Sequence, residues 1–131
     1  MITIIPQSVS ATSQVLTANI EEKLCKPYCV NATIQPVVDV NYTIAETDLV
    51  GTVLYVKVKA QGTISYVTSN GSRMRTIPFA EQFTTSFAGA TSASTVTIAQ
   101  ADGIVKPAYL ACCNAAKGIS ALNVITLTFT A

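Results

Sequence analysis

The sequence predicts an all-β, single-domain fold, a β-sandwich or jelly roll of about eight strands with an extended N-terminal arm. Of its 131 residues, 18 are Thr, 14 are Val and 12 are Ile, so about a third of the chain is β-branched. β-branched side chains are stiff at χ1 and fit a pleated sheet better than a helix. The second observation is a series of short apolar or alternating segments, separated by turn residues at the spacing typical of sandwiches.

The arm is predicted over Met1–Asn19 and the sandwich domain over residues 20–131. The first segment carries no charge and no Gly, and we find no turn signal that would fold it back on itself. The side chains through which such an arm would contact a sheet are Ile2, Ile4, Ile5, Val15 and Leu16. Whether the arm pairs within its own chain or with another remains open.

A charged window, Glu21–Cys29, predicts a connector between the arm and the domain. Strands are expected at Val30–Ile34 and Val37–Ile44. They are divided at Gln35–Pro36, because Pro36 has no N–H to donate to a central ladder. A turn is expected at Glu46–Asp48.

The clearest predicted strand is Leu49–Thr68. From Val56 onward, apolar and polar residues alternate with period 2, which indicates a half-buried strand. Gly62 falls on the apolar face, where a glycine indicates a bulge or close packing.

An Asn-Gly pair at positions 70 and 71 then predicts a two-residue hairpin, because a type I′ turn needs positive φ at both central residues. This turn sets the register of the hairpin. It places Ile64 opposite Ile77, and Phe79 over Gly62.

Phe79, Phe83 and Phe87 recur every four residues, a spacing that fits one face of a helix. The preceding Pro78 and the intervening Thr84–Ser86 favour a bent strand instead. Further strands are predicted at Ser94–Ala99, Ile104–Cys113 and Ile119–Phe129.

Composition argues against several classes of function. Only 11% of residues are charged, the net charge is +1, and the chain has no His and no Trp. Without a run of basic residues or the commonest general base, we expect neither a nucleic-acid-binding protein nor an enzyme, and we expect no cofactor. We also expect no membrane span, because the longest apolar candidate, Leu49–Val58, is interrupted by polar residues. Residues 1–20 have no basic segment at their start and do not resemble a conventional signal peptide.

Four cysteines are the most reactive feature: Cys25 and Cys29, which are separated by three residues, and the adjacent Cys112 and Cys113. Neighbouring residues on a strand point to opposite faces, so the adjacent pair is poorly placed to ligate one zinc ion, and no metal site is expected. The same geometry suits two disulfides to partners on opposite faces, one of them in a neighbouring subunit. The alternative is four reduced, buried thiols.

The segment from Val53 to Phe83 resembles the repeated core of the SPOCS domain of spore-coat proteins. The motif positions are Lys59, Gly62, Tyr66, Pro78, Phe79 and Glu81. In layout, the chain also resembles the endospore-appendage subunits of Gram-positive spore formers, small jelly-roll proteins whose arms and cysteines join them into fibres. Those subunits carry their first cysteines nearer the start of the arm than this chain does.

These observations predict a structural subunit of an extracellular filament or of a cell- or spore-surface appendage. Its partner would be a further copy of itself, joined head to tail by addition of the N-terminal strand. Two alternatives stay open: a phage virion protein, and a monomeric module that localises to a coat or binds carbohydrate. The tyrosines that could form a ligand surface are Tyr28, Tyr42, Tyr55, Tyr66 and Tyr109.

Overall fold

The computed structural model describes residues 2–23, 34–68, 74–101, 105–109 and 116–131. These residues form two antiparallel β-sheets, which confirms the predicted all-β sandwich. The strands are β1 (Ile2–Val9), β2 (Ser13–Lys23), β3 (Val37–Val50), β4 (Val53–Val67), β5 (Met74–Ala88), β6 (Thr95–Ala101), β7 (Val105–Tyr109) and β8 (Ala116–Thr130).

The larger sheet has the order β1-β2-β8-β6, with β7 also paired to β8. One side of β8 is covered by β2 along most of its length. On its other side, β6 pairs with Val124–Thr130 and β7 pairs with Ala116–Ala121. The two short strands therefore occupy successive stretches of one position, and the described strands fill four positions in this sheet and three in the other.

The smaller sheet has the order β3-β4-β5 and confirms the predicted hairpin register. Ile64 pairs with Ile77, and Phe79 lies opposite Gly62. The Asn-Gly turn itself lies outside the described residues. Gly62 is a position of close approach, because a Cβ added there would lie 1.8 Å from the backbone oxygen of Asp39.

The predicted turn at Glu46–Asp48 is wrong, because β3 continues through these residues to Val50. A register shift between Ile44 and Glu46 accommodates the polar residues within the strand. The chain turns instead at Gly51, whose φ of 63° lies in the left-handed region that glycine tolerates. The predicted strand Leu49–Thr68 is thus divided between the end of β3 and the whole of β4.

The phenylalanine segment is a strand, as predicted. Residues four apart share a face of a strand as well as of a helix, because the strand period is two. Phe79 and Phe87 are buried, and Phe83 is partly buried against the core. Phe87 stacks on Phe129 of the other sheet with ring centroids 5.1 Å apart.

The core lies between the sheets and is formed by alternate residues of the central strands. Fully or almost fully buried side chains include Leu16, Ala18 and Ile20 of β2, Val56, Val58, Ile64 and Tyr66 of β4, and Ile119, Ile125 and Leu127 of β8. Residues from the predicted arm thus belong to the centre of the sandwich.

Candidate assembly interface

The N-terminal segment folds back on itself as a β1–β2 hairpin, so the expectation that it lacks a turn is wrong. The backbone N–H of Ser10 donates to the carbonyl of Ser13 at 2.8 Å. The Ser10 hydroxyl accepts hydrogen bonds from the backbone N–H groups of Thr12 and Ser13. A serine can thus replace glycine as the turn residue, and the only sequence signal was the small, polar run around residue 11.

The structure separates the five predicted arm side chains into two groups. Leu16 is 3% exposed and belongs to the core, and Val15 is half-buried beside it in β2. Ile2 and Ile4 are only partly buried, and Ile5 is 50% exposed. The predicted boundary after residue 19 falls inside β2, so β1 alone retains the character of a peripheral strand.

The outer edge of β1 offers few hydrogen-bonding groups. The backbone N–H of Ile2 points away from β2 and donates to Oε1 of Glu81 on β5, at 3.3 Å. Because the backbone groups of alternate residues point to the same edge of a strand, those of Ile4 and Pro6 also point to the outer edge of β1. Pro6 has no N–H, so its position at the edge costs no ladder hydrogen bond and leaves no donor for another strand.

A groove of about 400 Å³ lies between the β1–β2 hairpin and β5. Ile4, Pro6 and Leu16 line it on one side, and Phe83 lines it on the other. The space beside β1 is therefore incompletely filled, and β1 makes less of the close contact that holds the central strands in place.

A polar contact joins the two sheets away from the side at which β1 and β5 meet. The hydroxyl of Tyr42 on β3 donates to Oδ1 of Asn123 on β8 at 2.9 Å. Tyr42 is 4% exposed, and its burial raises the pKa of the phenol to about 12. The phenol therefore remains protonated at neutral pH and acts as a hydrogen-bond donor between the sheets.

The three tyrosines whose side chains the structure describes, Tyr42, Tyr55 and Tyr66, do not form the shared ligand surface considered for a binding module. Tyr42 and Tyr66 are buried in the core, whereas Tyr55 is 41% exposed on the outer face of β4. Tyr28 lies outside the described residues, and of Tyr109 the structure describes only the strand position.

The four cysteines, Cys25, Cys29, Cys112 and Cys113, all lie outside the described residues. Disulfide formation between them therefore stays a prediction. Within the described ranges, no three His, Cys, Asp or Glu side chains come together in a way that could hold a metal ion.

Comparisons of this chain with protein-family models, with curated proteins and with solved structures yield no match. The part of the chain that the structure describes contains no helix long and apolar enough to cross a membrane.

Proposed function

We propose that this chain is a structural subunit that assembles with copies of itself, head to tail, into an extracellular filament or a cell- or spore-surface appendage. The observation that carries the proposal is β1, a largely exposed edge strand joined to the body by the short turn at residues 10–12. Assembly proceeds by exchange, in which β1 of one subunit takes the place of β1 on the next.

Exchange is favoured because it conserves the interactions of the strand. The same ladder that joins β1 to β2 within one chain forms between two chains, with Ile2 opposite Ile20 and Ile4 opposite Ala18. The net free energy then depends on the hinge at residues 10–12 and on the entropy of association, not on new contacts. When the exchange does not close on itself, each subunit both gives and receives a strand, and a polymer results.

β1 is also the strand whose release costs least among those paired to β2. Its five C-terminal residues are all exposed, including Val9 at 63%, whereas β8, the other strand paired to β2, supplies Ile119, Ile125 and Leu127 to the core. Release of β1 uncovers the partly buried Ile2 and Ile4 and leaves Leu16, Ala18 and Ile20 packed from the opposite sheet. Local opening at the low-stability end of a fold commonly involves such peripheral elements.

Cross-linking belongs to the same proposal. Disulfides of Cys25 or Cys29 with Cys112 or Cys113 of a neighbouring subunit would make dissociation of the polymer unfavourable, since they join chains that are otherwise held by one strand. Non-reducing electrophoresis of assembled material tests this part separately from strand exchange.

The test of exchange uses two single variants, Thr3→Cys and Asn19→Cys. Thr3 and Asn19 are directly paired across β1 and β2, at the Cα separation of about 5.5 Å that suits a disulfide. The two variants are mixed under assembly conditions and oxidised, and mass spectrometry then identifies the peptides joined through residues 3 and 19. Because each chain carries only one of the two new cysteines, this bond forms only between chains.

Exchange predicts the 3–19 bond in mixed samples that show fibres by electron microscopy. As a matched control, Ser8→Cys mixed with Asn19→Cys places the thiols out of register and gives little of the corresponding product. Fibres without the 3–19 bond would refute exchange, and a monomer at all concentrations would refute self-assembly and favour the binding-module alternative.

A further inference from the structure

Each edge of the smaller sheet is occupied by a glutamine side chain from the larger sheet. At the β3 edge, Nε2 of Gln100 donates to the carbonyl of Val40 at 2.9 Å. Its Oε1 accepts from the backbone N–H of Tyr42, also at 2.9 Å. One primary amide thus satisfies an acceptor and a donor two residues apart along the strand, as the backbone of a neighbouring strand would.

The β5 edge is occupied in a related way. Nε2 of Gln14 donates to the carbonyl of Ser86 at 2.7 Å, and its Oε1 accepts from the hydroxyl of Thr85. Gln14 is 7% exposed, so its side-chain amide is buried in the sandwich. Pro78 lies eight residues before Ser86 on the same edge and contributes no N–H there.

We infer that Gln14 and Gln100 are edge plugs, side chains that occupy backbone groups with which a strand of a second copy would otherwise pair: two groups on β3 for Gln100 and one carbonyl on β5 for Gln14. An unpaired edge is a template for another strand, and the backbone ladder it offers is independent of sequence. A second copy of the chain is the occupant that the plugs exclude, because it brings β-strand edges of its own at the same concentration. The inference stands on these contacts and does not depend on β1 exchange.

The β3 plug is the one whose removal is expected to open an edge without opening the core. Gln100 is itself exposed, whereas Val40 and Tyr42 keep their side chains buried in the core. Val38 precedes Val40 by two residues, so its backbone groups face the same edge and extend the surface available to a partner strand. Loss of the Gln100 amide therefore exposes an edge that is already well ordered.

The experiment compares Gln100→Ala with wild type and with Tyr42→Phe. The control removes the hydrogen bond to Asn123 from the same part of β3 but leaves both backbone contacts of Gln100 in place. Hydrogen exchange of the residue-42 amide reports the edge directly. Light scattering over a range of protein concentrations reports the mass.

In dilute Gln100→Ala, exchange of the residue-42 amide is expected to be about tenfold or more faster than in wild type, since a hydrogen bond has been removed. At high concentration, this amide becomes protected again as the mass increases. In Tyr42→Phe, the mass remains that of wild type at every concentration.

Two results would overturn the inference. One is a Gln100→Ala chain whose mass and residue-42 exchange match wild type at all concentrations. The other is equal association of Tyr42→Phe, which would assign the effect to loss of stability in general. Association through β1 is distinguishable, because it leaves the protection of the β3 amides independent of concentration.

Discussion

Tyr42 gives the stability of the sandwich a defined dependence on alkaline pH. Its phenol has an ordinary pKa near 10 in the unfolded chain and a pKa of about 12 in the folded protein, because burial disfavours the phenolate. Below pH 10 both states are protonated, and the contribution to stability is fully present. Between pH 10 and pH 12 the unfolded state loses its proton first, so the free energy of unfolding falls as the pH rises.

The magnitude follows from the difference of two pKa units. At about 1.36 kcal/mol per unit, Tyr42 accounts for a loss of about 2–3 kcal/mol between pH 10 and pH 12. Tyr42→Phe lacks this term but loses the hydrogen bond to Asn123, worth about 0.5–1.5 kcal/mol. The variant is therefore expected to be less stable than wild type at pH 8 and to approach or exceed it near pH 11.5.

The assay is urea unfolding followed by circular dichroism at several values between pH 8 and pH 11.5. Titrations of other groups are common to both chains and cancel in the difference between their free energies of unfolding. Tyr55→Phe is the matched control, since it removes a phenol that is 41% exposed and leaves that of Tyr42 in place, so the loss of stability due to Tyr42 is expected to remain. Parallel curves for wild type and Tyr42→Phe over this range would refute the reasoning.

Two further substitutions test the core. Gly62→Ala is expected to lower the free energy of unfolding by more than about 3 kcal/mol, because the added Cβ would lie 1.8 Å from the backbone oxygen of Asp39 and β3 would have to separate from β4. A variant as resistant to denaturant as wild type would contradict the register of β3 and β4. Leu127→Ala is expected to lower the free energy of unfolding by about 2–5 kcal/mol, because this side chain is fully buried. The matched control is Thr128→Ala at the neighbouring exposed position, which should change the free energy of unfolding by no more than about 0.5 kcal/mol. If both variants lowered the thermal unfolding temperature equally, the assignment of the buried face of β8 would be wrong.

The sequence was most informative where one local signal determined a long element. The Asn-Gly pair and the alternation before it were enough to place Ile64 opposite Ile77, because the side-chain period of two allows only one apolar face. The turn at Ser10 is not evident from the sequence, because hydroxyl-based turns have a weaker sequence signal than glycine turns. The polarity of Glu46–Asp48 predicts a turn, but polar residues also fit a strand here, because residues 45–50 at this end of β3 are all exposed.

The polar contacts of the edges could not be predicted from the sequence in the same way. Gln100 lies 58 positions after Tyr42 in the sequence, and Asn123 lies 81 positions after Tyr42. Such pairs depend on how the two sheets are stacked, which no local pattern encodes. Gln14 and Gln100 were accordingly two polar residues among many, and only the positions of the β3 and β5 edges give them a role.

The occupied edges bear on the route by which a filament of this chain would grow. In the described strands, Pro6 and the Glu81 contact blunt β1, Gln100 occupies β3, and Gln14 occupies β5. A second copy that simply adds a strand to one of these edges must first displace hydrogen bonds already made. Exchange of β1 regenerates its ladder in full, but the subunit must open before it can accept a strand. If exchange is the route, opening of β1 limits the growth rate at high subunit concentration, and the rate there becomes independent of concentration. If strands add to a static edge instead, the growth rate keeps rising in proportion to subunit concentration.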